Sequence, residues 1–83
     1  MHDQNLPKWF KGELYEKGAV VRNRFSGEEY ELNNIELSMY DFVVGAQLML
    51  EMGQSHPETI ADLRKGLDWF RKNNEKAYLV LLD

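Results

Sequence analysis

Glu36-Leu37-Ser38-Met39-Tyr40-Asp41 is the stretch at which the pattern of this chain changes. Before it, short alternating runs are separated by turn residues, as in paired strands. After it, Met39 to Met52 is almost wholly apolar, which at this length reads as a helix covered on most of its sides. The join predicts an α+β fold: an N-terminal β-hairpin or three-stranded antiparallel meander packed on two main C-terminal helices plus a short C-terminal element. All 83 residues fall in a single domain, 1–83, with 1–7 a frayed lead-in, 9–37 the β part and 38–83 the helical part.

Working outward toward the carboxyl end, Ser38 is a good N-cap, with Asp41 three residues on in a variant of the capping box and Leu37 at the staple position. Gly53 is placed to stop the helix as its C′ residue. Ser55-His56-Pro57-Glu58 restarts the chain, with Ser55 capping, Glu58 closing the box and Pro57 tolerated in the first turn. Ile60, Leu63, Leu67 and Phe70 form one apolar stripe, so the second helix lies on the surface. Asn73-Asn74 ends it. The segment 75–82 fits either a short helix capped by Asn74 or a buried edge strand, and the helix is favoured.

Toward the amino end, Ser26-Gly27 is a turn signal between Ala19 to Phe25 and Glu28 to Leu32, which together read as a hairpin. Val21, Asn23 and Phe25 fall on one face and Val20, Arg22 and Arg24 on the other, while Tyr30 and Leu32 share a face. Glu13-Leu14-Tyr15 is the candidate third strand, joined to the hairpin by a turn at Lys17-Gly18. Trp9-Phe10 supplies the first side chains large enough to anchor the lead-in.

A domain of this size buries only about 60 to 65% of the surface its unfolded chain exposes. Without cysteine, neither a disulfide nor a thiolate metal site reinforces it. Ten basic and fourteen acidic residues divide evenly, five and seven in each half about Leu37. With a net charge of −4 and no basic tail, the chain lacks the cationic footprint of a nucleic-acid binder. Met1 to Pro7 has neither the basic lead nor the apolar core of a secretory signal. Its longest apolar run, Phe42 to Leu50, is interrupted by Gln47 and falls far short of the roughly 20 residues of a membrane span. A cytoplasmic protein, with no membrane partner, is the expectation.

The chain carries no signature of catalysis or of a cofactor. His2 and His56 sit in the lead-in and an inter-helix turn, not at a metal-binding spacing. Ser26, Ser38 and Ser55 each have a turn or capping role, and Thr59 lies in the first turn of a helix. Glu28, Glu29, Glu31 and Glu36 read as a solvated hairpin face rather than as an acid–base pair. The expectation is no enzyme, no cofactor and no metal.

What remains is surface. Gly45 and Gly66 lie inside predicted helices, where glycine costs about 1 kcal/mol against alanine. Each therefore predicts a close approach of backbones, between the two helices or with a second chain. Two slender helices and a hairpin have little with which to cover Met39 to Met52, and Trp69 lies off the stripe of its own helix. Such a patch predicts a homodimer, and Trp69, Met39, Val43 and Met49 are the candidate interface. Arg64, Lys65, Arg71 and Lys72, near Trp69, are candidate nucleic-acid contacts. Asp68 is spaced to pair with Arg64 and Lys72, and Asp62 with Lys65, which weighs against them. A small-molecule pocket lined by Trp9, Tyr15, Tyr30 and Tyr40 is a third reading.

Pro7-Lys8-Trp9-Phe10, Phe25-Ser26-Gly27-Glu28, Glu36 to Phe42, Lys65-Gly66-Leu67 to Trp69-Phe70-Arg71, and Ala77-Tyr78 to Leu81-Leu82-Asp83 resemble a group of small bacteriophage proteins from marine hosts, cyanobacteria among them. The likeness covers nearly the whole chain. It implies expression in the cytoplasm of an infected bacterium and transfers no catalytic or binding residue. The leading expectation is a non-enzymatic phage accessory protein acting through protein–protein interaction. Nucleic-acid binding through the basic face of the second helix is the alternative, followed by a small-molecule binder.

Overall fold

A computed structural model describes residues 5–23 and 25–82. Along the chain run β1 (Ala19–Arg22), β2 (Glu29–Leu32), α1 (Asn34–Glu51), α2 (Pro57–Asn73) and α3 (Glu75–Leu81). The hairpin is antiparallel, with Ala19 opposite Leu32 and Val21 opposite Tyr30. Those four share the inner face, where Leu32 is buried and Val21 and Tyr30 half-buried. Val20, Arg22, Glu29 and Glu31 alternate onto the outer face, and Arg22 pairs there with Glu29 at 3.2 Å.

The described residues contain two strands, not a three-stranded meander. The segment expected as a third strand takes its backbone hydrogen bonds from the start of α1 instead. Tyr15 N–H donates to Ser38 Oγ at 2.9 Å, and Asn34 Nδ2 donates to Tyr15 O at 3.4 Å. With the N–H and C=O of Tyr15 satisfied by side chains, that residue does not need a strand partner.

This use of Ser38 also corrects the start of the helix. The N-cap is Asn33, whose side chain accepts from Glu36 N while Glu36 Oε1 accepts from Asn33 N, a complete capping box. Ser38 lies inside the helix, fully buried, and donates to Asn34 O at 2.7 Å. The boundary moves because glutamate at N3 reaches back to its cap.

Gly53 does end α1 as expected, with a φ of +85°. The start of α2 differs: its N-cap is His56, without a side-chain cap hydrogen bond, and Pro57 occupies the first turn. The helix is also turned relative to the predicted stripe. Thr59, Gly66, Trp69 and Phe70 are its buried residues, while Ile60 faces solvent. Gly66 is the reason, since a Cβ there would run into Val43 Cγ2, so the glycine admits α1 against α2.

Residues 75–81 form the favoured helix, with Asn74 Oδ1 capping Ala77 N at 3.1 Å. Leu32, Met39, Val43, Trp69, Phe70, Ala77 and Leu81 make the core. From the amino side, Trp9 and Phe10 pack on Phe42 with ring centroids 6.1 and 5.2 Å apart. Within the lead-in expected to fray, Leu6 packs on the core and Asn5 O accepts a hydrogen bond from Trp69 Nε1 at 3.3 Å. The rest of that lead-in, His2 included, lies outside the described residues.

Candidate functional site

Asn23 organises the most exposed aromatic of the molecule. Its backbone N–H donates to Glu28 O and its carbonyl accepts from Gly27 N, both at 2.8 Å, closing the hairpin end. Its side-chain oxygen accepts from Phe25 N at 2.8 Å and Ser26 N at 3.2 Å. Ser26 Oγ then accepts from Glu28 N at 3.1 Å, and Gly27 supplies the positive φ of +78° that the turn requires. Asn23 Nδ2 meanwhile donates to Val80 O at 2.9 Å, fastening the tip to α3. Phe25, on this braced turn, is 90% exposed.

Beside it opens a cleft of about 400 Å³ where the hairpin tip, α1, α2 and α3 meet. Its apolar lining includes Phe25, Tyr40, Val44, Leu48, Leu63 and Leu81, and Arg22 and Glu51 are charged residues at its wall. The lining comes from four elements, so no single helical or strand period announces it. In sequence, the only signal is a phenylalanine abutting a Ser-Gly turn, where a large apolar residue has little to pack against.

The four candidate interface residues separate. Met39 and Val43 are fully buried and Trp69 is 7% exposed, its ring edge-on to Phe70 at 5.2 Å. These three serve the chain's own core and present no face to a second chain. Met49 alone of the four reaches the surface, at 39% exposure, with Leu48 on α1 and Met52 at its C-cap nearby. Sequence reasoning placed Trp69 outside because its cover comes from the distant Asn5 to Trp9 segment.

The basic residues of α2 are mostly engaged. Lys72 pairs with Asp68 at 3.0 Å and Arg71 with the same carboxylate at 3.8 Å. Arg71 also lies 5.6 Å over the Tyr78 ring, and Lys65 5.7 Å over Trp9 rather than beside Asp62. Arg64 is exposed. With Trp69 buried, this face has lost the stacking surface that its reading as a nucleic-acid site required.

The proposed aromatic pocket does not assemble either. Tyr40 lines the cleft, Trp9 lies on Lys65, and Tyr30 reaches Asn74 Oδ1 at 3.4 Å. Tyr15 is engaged with Asp41, and its pKa is raised by desolvation first, then by the hydrogen bond to Asp41 and the negative charges of Asp41 and Glu13. Among the described residues, no group of three or more His, Asp or Glu side chains is placed to hold a metal ion. No helix of the described residues is long and apolar enough to cross a membrane. Compared with protein-family models, curated proteins and solved structures, the chain matches none.

Proposed function

We propose that this protein is a non-enzymatic interaction module that recognises a protein partner through Phe25 and the adjoining cleft. The phage resemblance gives the setting: an accessory protein acting in the cytoplasm of an infected bacterium. One observation carries the reading. Phe25 is 90% exposed on a turn held by five hydrogen bonds involving Asn23, one of them to Val80 in α3.

An exposed phenylalanine forgoes the roughly 1.5 to 3 kcal/mol that burying its side chain would contribute. In recognition the same placement is favourable, because an aromatic carried on a pre-ordered turn loses little backbone freedom on binding and can fill a partner's pocket. The expected partner surface is therefore a concave apolar one.

The test compares wild-type protein with Phe25→Ser, each immobilised at equal density, in lysate of cells that produce the protein. A protein retained by wild type and lost by the variant, and binding again once purified, supports the proposal, provided that the thermal midpoints agree. If nothing distinguishes the two, or if nucleic acid is retained and then lost on Arg64→Ala with Arg71→Ala, the proposal is wrong.

A further inference from the structure

The first strand has an open edge. Asn23 N–H donates to Glu28 O, so by the alternation of an antiparallel pair Ala19 and Val21 also turn their backbone groups toward β2, while Val20 and Arg22 turn theirs away. Among the described residues β2 is the only strand beside β1, and none bonds to the outward N–H and C=O groups of Val20 and Arg22. Such an edge is a template for another extended chain, and proteins guard it with lysine, proline or a bulge. Ala19-Val20-Val21-Arg22 carries none of these, and its register with β2 is unbroken. Val20 is also 61% exposed.

The cleft beside Phe25 adjoins this edge. The hairpin residues that line it, Arg22, Asn23 and Phe25, belong to β1 and the turn that follows, while Tyr40, Val44 and Leu48 line it from α1. One wall is therefore the end of a strand with unpaired backbone groups, and the other is an apolar helix side. At about 400 Å³ the cleft is the size of a ligand site. With α1 closing its far side, it is too small to take the hairpin of a second folded copy.

We propose that the partner enters this cleft as an extended segment, which pairs with the open edge of β1 and becomes the third strand of the sheet. The inference rests on the reading of the cleft as a protein-binding site and adds the form of what binds there. Alternate residues of the segment point inward onto Tyr40, Val44 and Leu48, and are apolar. Those between them point outward, level with Val20 and Arg22. Arg22 donates to Glu29 through Nη2, one of several N–H groups of its guanidinium. Its remaining donors suit a carboxylate on the other flank of β1. The residue opposite Arg22 is accordingly acidic, with an apolar residue on each side of it in the partner's sequence.

With two outward residues the ladder is short, so the dissociation constant is modest, on the order of 10 to 100 µM. The probe is a display library of short random peptides, selected on the full chain. Enriched sequences should carry an acidic residue between two apolar ones. Val20→Pro removes the outward N–H without touching the ladder to β2, a placement that edge strands tolerate. It should weaken the best peptide about tenfold or more, whereas Val20→Thr should change it less than about twofold. In the wild-type complex, hydrogen exchange at the Val20 and Arg22 amides should slow about tenfold or more. Exchange at Glu29 and Glu31, which face the opposite edge, should not change. These rates decide the matter alone if Val20→Pro does not fold.

No enriched sequence, apolar residues at helical spacing instead, unslowed exchange at Val20 and Arg22, or full binding by a folded Val20→Pro would each overturn the proposal. A wild-type dimer abolished by Val20→Pro would do so too, by making the occupant a second copy. Phe25→Ser separates this failure from failure of the partner site. A peptide lost on Phe25→Ser and kept by Val20→Pro would leave Phe25 as the site and remove the added strand.

Discussion

Asn74 Nδ2 donates a 2.7 Å hydrogen bond to Glu36 Oε2, joining the cap of α3 to the cap of α1. Glu36 is 4% exposed, and its other oxygen accepts from Asn33 N. Asn74 Oδ1 accepts in turn from Ala77 N and, at a longer 3.4 Å, from Tyr30 Oη on β2. One carboxylate and one amide thus tie together the starts of two helices and a strand. Among the described residues, no buried side-chain polar atom is left without a partner. Asn74→Ala should cost about 2 to 3 kcal/mol, since it removes a cap and strips a buried carboxylate of a donor. Urea unfolding measures it, and a loss below about 0.5 kcal/mol, the range of an ordinary surface change, would refute the linkage.

The two helical glycines should respond in opposite directions. Gly66→Ala pushes a methyl into Val43 and should cost about 1 to 3 kcal/mol, with part of the loss recovered in the double variant with Val43→Ala. Gly45→Ala, whose added methyl meets no other described residue, should gain about 0.5 to 1 kcal/mol. Equal effects of the two alanines on the thermal midpoint would contradict the packing described.

Phe70 is fully buried in the core. Phe70→Ala should cost about 3 to 5 kcal/mol, against a total stability on the order of 4 to 12 kcal/mol for a chain of this length. Loss or near-loss of the cooperative transition in calorimetry is the expected outcome. A transition moved by only a degree or two would place the core elsewhere.

At the hairpin tip, Phe25→Ser should leave stability within about 0.5 kcal/mol, while Asn23→Ala should cost about 1 to 3 kcal/mol because it releases Phe25 N, Ser26 N and Val80 O together. Hydrogen exchange at the Phe25 and Ser26 amides should speed up in the second variant. Unchanged exchange there would mean that the turn is held by something other than Asn23.

Tyr15 provides a pH test. A tyrosine is neutral below its pKa, so the raised value in the folded chain means that folding favours the protonated hydroxyl. Its contribution is complete below the unfolded value of about 10 and is lost as the pH climbs through the higher folded value. Tyr15→Phe should therefore flatten the alkaline fall in stability. Asp41→Asn should lower the Tyr15 pKa seen by NMR, and an unmoved titration would remove Asp41 as a cause.

The hairpin, the end of α1 at Gly53 and the α3 cap at Asn74 were legible in the sequence because each depends on residues close together along the chain. The start of α1 was harder. Asn33 with Glu36 and Ser38 with Asp41 present the same cap-plus-acid spacing, and Ile35 and Leu37 continue either a strand or a helix. The longer glutamate side chain decides it, reaching the Asn33 N–H while Ser38 turns inward to Tyr15. The inward turn of Trp69 depends on Asn5 and Trp9, more than fifty residues away, and no period within α2 records it. The cleft beside Phe25 draws on four elements at once, so only the assembled fold reveals it.

The bonds from Asn23 to Val80 and from Trp69 to Asn5 span 57 and 64 residues. Both fasten an earlier-made part of the chain to helices that follow it. During synthesis, the hairpin therefore leaves the ribosome without its brace, and Phe25 reaches its final setting only after α3 has emerged. Protease added to nascent chains stalled at successive lengths should cut the hairpin region until Val80 is free. Protection gained before α2 is complete would show that the hairpin stands unaided.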